Sequence, residues 1–315
     1  MSVVFFGSPP LAATVLEALL DANIVVTAVV TQPDKPAGRG NLLKSPAVKV
    51  LAEARGLPVY QPAKVRDGAL ASWLRDQRAE LAVVVAYGRI LTQEVLDAPR
   101  LGCVNLHASL LPRWRGAAPI ARAIAAGDSA SGMCLMQMDA GLDTGAVLAR
   151  AEVPILHEDT TPDLEHRLAR AGAALLLTHW HGLTAGELHG LPQPEQGVTW
   201  APPIDKSEGR LDWQLPAQQL HRQVRAMQPW PGAFFACQVV AGEDWKVFAE
   251  GLLLGERSGP AGQLLAVEGP VVWIGCGQGS LGIAALQRPG KGRVAAADVL
   301  RGLRVTIGAQ VGVPS

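Results

Sequence analysis

Apolar and polar positions alternate in blocks along the first two-thirds of the chain. Short apolar runs at Val3–Phe6, Ile24–Val30, Val59–Tyr60, Leu81–Ala86 and Leu101–Val104 are separated by stretches of helical spacing. Those stretches are Pro10–Asp21, Pro46–Arg55, Gly68–Arg78 and Thr92–Leu96. Short runs of this kind are strands buried on both faces, and strands alternating with helices argue a parallel sheet wrapped by helices. The expected fold is therefore α/β, with a Rossmann-like, mostly parallel sheet. Met133–Met138 and Ala146–Val153 read as further strands. Thr160–Gly182 reads as one long helix, with Thr160 or Thr161 as its N-cap and Pro162 in its first turn. Proline then crowds Leu191–Gly197 and Ala201–Pro203, and the domain boundary is expected there. Beyond it, a helix at Pro216–Met227 precedes short β-rich segments at Phe234–Val240, Lys246–Ala249, Gln263–Val267 and Val271–Gly275, the pattern of a small barrel. The expected division is a first domain over 1–190, a linker over 191–205 and a second, smaller β-barrel domain over 206–315.

Composition narrows the class. At 315 residues with 49% hydrophobic residues and a formal net charge of zero, the chain can build two cores and is neither disordered nor fibrous. No apolar run approaches the roughly 20 residues of a membrane helix, and the N-terminus opens on a strand without a leader pattern. Cys103, Cys134, Cys237 and Cys276 are scattered, with no CxxC pair for zinc or redox chemistry. A cytoplasmic protein with reduced thiols, no membrane partner and no metal is expected. Zero net charge leaves a nucleic-acid partner open, because local distribution sets the field. Residues 206–315 are only slightly more basic than the rest.

The chemistry concentrates at Asn105-Leu106-His107-Ala108-Ser109-Leu110-Leu111-Pro112 and Gly141-Leu142-Asp143-Thr144-Gly145. Two residues apart on a strand, Asn105 and His107 face the same side. An amide beside an imidazole suits an oxygen that becomes negative as a carbonyl is attacked. A carboxylate from a separate glycine-flanked loop can orient or charge that imidazole. The bland alternative is a satisfied polar pair at a strand end; the Ser-Leu-Leu-Pro turn and the Asp143 loop favour chemistry. Ligands of such sheets bind at the carboxyl ends of strands, where Gly7-Ser8-Pro9, Asp34 and Tyr87-Gly88 also fall.

These residues carry a resemblance. Asn-x-His-x-Ser-Leu-Leu-Pro followed by Gly116 and Asp143 resembles the active site of the 10-formyltetrahydrofolate-dependent formyltransferases. Thr31–Gly40, Val84–Gly88, Leu111–Pro119, Met136–Asp139 and Pro229–Pro231 resemble the methionyl-tRNA branch of that superfamily, in order and over nearly the whole chain. The resemblance implies formyl transfer from 10-formyltetrahydrofolate to the α-amine of initiator methionyl-tRNA, by direct attack through an oxyanion. It implies that Asn105 and His107, the latter as an imidazolium, donate to that oxygen, with Asp143 holding the imidazole and helping to move the proton off the amine. It implies that Ser109, Leu110, Leu111 and Pro112 form a folate-binding turn, completed by Tyr87 and Gly88. It implies that the basic loop over Asp34–Lys49 docks on tRNA through Lys35, Arg39 and Lys44, and that the C-terminal domain is OB-like and binds tRNA. Solvated loop charge would be the ordinary reading of that loop without the resemblance. A monomer is the working expectation. Gly7-Ser8-Pro9-Pro10 and Ala108 depart from the usual family pattern without removing a proposed catalytic group.

Other signals carry less. His179 and His181 are i and i+2 on a helix and do not share a face. Gly275-Cys-Gly-Gln-Gly279 lacks the phosphate-loop spacing. Trp213, Trp230, Trp245 and Trp273 read as core before nucleic-acid stacking. Arg113, Trp114 and Arg115 could support RNA or shape the pocket. The rival readings are a relative that formylates a small amine, a formyl-folate or RNA binder without catalysis, and a nicotinamide-dependent oxidoreductase. The last lacks the glycine fingerprint after the first strand.

Overall fold

Seven strands make the central sheet of the first unit: Val3–Gly7 (β1), Val26–Val30 (β2), Val59–Tyr60 (β3), Leu81–Val85 (β4), Cys103–His107 (β5), Ala130–Gln137 (β6) and Val147–Pro154 (β7). Their order is β7-β6-β5-β4-β1-β2-β3. The first five are parallel, whereas β6 runs antiparallel to β5 and to β7. The computed structural model describes residues 1–37 and 42–313. Every residue of β1, β4 and β5 is buried; β1 and β4 therefore read as unbroken apolar runs, while β5 also buries Asn105 and His107.

Helices Pro10–Asp21 (α1), Ala47–Ala54 (α2), Ala69–Asp76 (α3) and Gln93–Leu96 (α4) return the chain between the parallel strands. α1 begins on Pro10, whose fixed φ suits the first turn, and buries the stripe Leu11, Ala12, Val15, Leu16 and Leu19. The chain leaves β1 toward β2 and returns to its other side as β4. The order therefore reverses at β1, which opens a crevice at the carboxyl ends of β1 and β4. β5 lies beside β4, so Asn105 and His107 stand next to that switch point.

The α/β expectation holds, with element-level differences. The basic segment folds as a hairpin of Lys35–Ala37 against Leu42–Lys44, and a helix at Pro119–Ala126 (α5) follows the Asn105–Pro112 segment. The long helix is Thr161–Thr178 (α6), interrupted at His179 and resumed as Trp180–Ala185 (α7), which stops at Gly186 in the left-handed conformation.

The second unit comprises Ile120–Ser129, Ile155–Leu164 and Pro203–Ser315. Two four-stranded antiparallel sheets build it. One has the order Ala233–Ala236, Asp244–Val247, Ala285–Gln287, Val294–Ala295, and the other Leu253–Gly255, Ser280–Ile283, Val271–Gly275, Leu264–Glu268. Ala217–Ala226 (α8) and Ala296–Gly302 (α9) add its main helices. Phe235 sits edge-on between Trp213 and Trp245, at 5.2 and 5.9 Å between ring centroids. Both tryptophans are fully buried, while Trp230 is exposed. Among the described residues no helix is long and apolar enough to cross a membrane.

Candidate active site

β5 is an interior strand, and its last turn of pleat carries the two polar residues. Asn105 lies opposite Val84 and Met136, and His107 opposite Cys134. Asn105 is only 9% exposed, yet among the described residues no group hydrogen-bonds its side-chain amide. A nearly buried amide left open at the mouth of the switch-point crevice is available to a ligand.

His107 is held differently. Its Nε2 lies 2.9 Å from the carbonyl oxygen of Trp114. A carbonyl only accepts, so Nε2 carries the hydrogen and Nδ1 is the nitrogen left for chemistry. Nδ1 faces Asp143 Oδ2 at 3.6 Å, near enough for electrostatic coupling and too long for a hydrogen bond. The acceptor carbonyl is aimed by strained backbone: Trp114 has φ 63°, and its N–H donates to Thr199 Oγ1 at 2.9 Å. Asp143 is also left-handed, at φ 54°, and its Oδ2 accepts from the Gly116 N–H at 2.9 Å.

One side chain ties these pieces together. Gln193 Nε2 donates to the carbonyls of Asp143 and Gly145, each at 2.8 Å. Its Oε1 accepts from Arg115 Nε and Nη2 at 3.0 and 2.7 Å. Residues 115–116 also pair with Trp200–Ala201 as a parallel ladder. A Cβ on Gly116 would stand 2.6 Å from the Ala201 carbonyl oxygen, and its φ of 123° suits glycine alone. Leu191 pairs with Val147 at the edge of β7. The proline-rich stretch thus belongs to the site's frame.

The expected folate turn is built with its side chains facing inward. Ser109 is fully buried and donates Oγ to the Arg113 carbonyl at 2.6 Å. Leu111 packs with Cys134, Met136 and Val147, and Leu110 lies over Gly132. The turn therefore offers backbone and the half-buried Leu110 and Pro112 to a ligand. Tyr87 is buried edge-on against Phe6 at 5.4 Å, and its carbonyl accepts from Gln32 Nε2 at 2.8 Å. Gly88, at φ 77°, packs against the same glutamine amide. In the second loop, Asp139 Oδ1 accepts from Gly141 N–H and Thr144 Oγ1, at 3.1 and 2.7 Å.

On the hairpin, exposed Lys35 and Lys44 stand directly opposite each other. Arg39 lies outside the described residues. Lys49 is instead paired with Asp34 at 2.7 Å, and Lys49 and then Gln61 hold the Asp34 carboxyl below its ordinary range. Arg113 stacks its guanidinium over Trp114 at 4.5 Å. The four cysteines are buried; burial pushes the thiols of Cys103 and Cys276 up to about 12, which makes them poor nucleophiles.

Residues 1–179 match the formyl transferase family, and residues 203–304 match the formyl transferase C-terminal domain. Methionyl-tRNA formyltransferase from Thiobacillus denitrificans is 47% identical over 99% of this chain and 100% of its own. The protein of the same name from Stenotrophomonas maltophilia strain R551-3 is 50% identical over 96% and 98%. The chain belongs to the methionyl-tRNA formyltransferase family.

Solved structures carry the same fold at low identity. A Helicobacter canadensis N-formyltransferase, in complex with folinic acid and dTDP-3-aminofucose, has a TM-score of 0.65 at 17% identity, over 89% of this chain and 97% of its own. HypX from Aquifex aeolicus, in complex with tetrahydrofolic acid, scores 0.63 at 17% identity over 99% of this chain, which spans only 50% of HypX. For this member of the methionyl-tRNA formyltransferase family, sequence reasoning missed Gln32, Gln193 and Thr199. Gln193 carried one local signal, since the flanking Pro192 and Pro194 fix the backbone around a lone amide.

Proposed function

We propose that this protein transfers the formyl group of 10-formyltetrahydrofolate to the free α-amine of initiator methionyl-tRNA, giving N-formylmethionyl-tRNA for translation initiation. The observation that carries the reading is identity of 43–50% with relatives of that name, across both units and nearly full length. The crevice fits the folate donor on its own terms: the Asn105 amide is open, and the Ser109–Pro112 turn presents backbone over a packed base.

When bound, the folate supplies an activated formyl carbon, and as the oxyanion collapses its C–N bond breaks and tetrahydrofolate leaves, its nitrogen protonated by the equivalent of the proton the amine loses. Asn105 donates its amide N–H to the oxygen that gains charge as the amine adds. His107, fixed on the Trp114 carbonyl through Nε2, directs Nδ1 toward the same reaction space. Asp143 stabilises a proton on Nδ1 and assists its removal from the attacking amine, by direct contact or through water. Ser109, Leu110, Leu111 and Pro112, with Tyr87 and Gly88, form the folate wall. Residues 1–190 then serve as catalytic domain, 191–205 as connection and 206–315 as tRNA-binding domain, in a cytoplasmic monomer.

Lys35 and Lys44, with Arg39, contact the tRNA backbone. Like charges directly opposite on a hairpin repel, and phosphate between them relieves that repulsion. Lys35→Ala and Lys44→Ala are each expected to flatten the slope of log affinity against log salt by about one unit. Filter binding of methionyl-tRNA across a salt series measures this, and unchanged slopes would remove the hairpin from the interface.

Gln193→Ala removes the clamp between Arg115 and the Asp143 loop. A displacement of about 1 Å at the reacting groups is expected to lower single-turnover rate about 10²-fold with the fold intact; stopped-flow formylation alongside thermal melting checks it. The defining experiment compares formyl transfer to initiator methionyl-tRNA, elongator methionyl-tRNA and an amino sugar nucleotide. Fast transfer to the initiator alone is expected. Transfer only to the sugar amine would replace the tRNA reading.

A further inference from the structure

The second unit holds a group of polar side chains that formyl transfer does not use. His221 on α8 is 2% exposed. Its Nδ1 accepts from Arg225 Nε at 3.2 Å, while its Nε2 has no hydrogen-bond partner among the described residues. Arg225 is 6% exposed and donates Nη1 to the Asp159 carbonyl at 2.9 Å. Among the described residues it forms no ion pair with a carboxylate. Arg222, one position from His221, lays its guanidinium over Gly127 and makes no hydrogen bond or ion pair among the described residues. These three side chains line one cavity of about 150 Å³, with His157, Gln218 and Asp128 at its walls. An arginine this buried, balanced only through space by the Glu158 and Asp159 charges, beside an unsatisfied ring nitrogen, is costly unless something fills the space.

Spacing alone suggests a metal, because donor atoms of His157, Glu158 and His221 lie within 4.8 Å of one another. Proton accounting rejects it. A guanidinium only donates, so His221 Nδ1 is the unprotonated nitrogen and Nε2 bears the hydrogen. Burial, then Arg225, pushes the His221 pKa down to about 4, so the ring is neutral near pH 7. Its Nε2–H is then a donor, not a ligand. The Glu158 carboxylate is taken by His157 Nδ1 at 2.8 Å. What the cavity presents is the His221 Nε2–H, which has no hydrogen-bond partner among the described residues, beside the Arg222 and Arg225 guanidiniums.

We propose that this cavity is a binding site for a phosphate-class oxyanion, contacted by His221 Nε2–H and the Arg222 guanidinium, with Arg225 fixing the tautomer of His221 from behind. Several oxygens on one small centre match several convergent donors better than a single carboxylate or a chloride. Asp128 lines the cavity and the Glu158 charge acts on His221 and Arg225, which limits net attraction, so affinity rests on the donors rather than on long-range charge.

The test uses the full chain and inorganic phosphate, followed through the His221 imidazole N–H signal and the melting temperature, with chloride at matched ionic strength as control. Saturable movement of the Nε2–H signal and a rise in Tm with phosphate only are expected. Arg222→Gln, at a half-buried position that tolerates the change, is expected to weaken phosphate at least tenfold, with Arg222→Lys recovering part of the loss. No saturable response in the folded wild type, an unchanged response in Arg222→Gln, or loss of the Nε2–H signal on adding zinc would each overturn the proposal. Adding tRNA distinguishes the source: displacement of phosphate assigns the site to a phosphodiester, and undisturbed phosphate assigns it to the free ion. Neither readout depends on formyl transfer.

Discussion

Asn105→Ala is expected to slow single-turnover formyl transfer about 10²–10³-fold, the usual cost of one lost oxyanion donor. The structure makes this substitution unusually clean. The amide has no partner among the described residues, so its removal orphans no other buried group. Thermal stability should change little, and folate binding should stay within a few fold, because the lost interaction strengthens only as charge develops. A rate loss confined to kcat, measured with saturating folate and tRNA, is the expected pattern. Equal losses in folate affinity and rate would make Asn105 a binding residue. A rate within threefold of wild type would remove it from the chemistry altogether.

The residues that make the site legible are local, and those that assemble it are not. Asn105 and His107 declare a shared face through strand alternation, and their position at a sheet switch point follows from the block pattern of apolar runs. Asp143 was visible as a carboxylate between glycines. Gln193 acts 50 residues from Asp143, and Thr199 reaches Trp114 across 85, distances that no periodicity spans. The proline-rich stretch reads as connection because it lacks periodic apolar positions. Its work is done by one amide, one hydroxyl and a two-residue ladder instead. The second unit was legible only in outline. Val271–Gly275 carries enough β-branched and aromatic residues to read as a strand, whereas Leu253–Gly255 and Ser280–Ile283 are only three and four residues long, with one β-branched residue between them. Their place in a sheet comes from their neighbours, not from propensity.

Asp143→Asn is expected to lower kcat about 10²–10⁴-fold, the range of a positioned acid–base group. Two roles meet in this carboxylate: Oδ2 accepts from the Gly116 N–H, and the same atom faces His107 Nδ1. Asparagine keeps the size, an acceptor oxygen for Gly116 and a tolerance for the left-handed backbone at φ 54°. It removes the charge and turns one carboxylate oxygen into an N–H donor. Alanine removes both roles and adds backbone strain, so its loss should exceed that of asparagine and include a lower Tm. If the charge matters, Asp143→Asn is slow while its melting curve stays near wild type. If Asp143 is only an anchor for the turn at Gly116, Asp143→Asn keeps its rate and Asp143→Ala alone fails. Measuring both variants by quenched-flow formylation and calorimetry separates a group that handles the proton from one that merely shapes the loop.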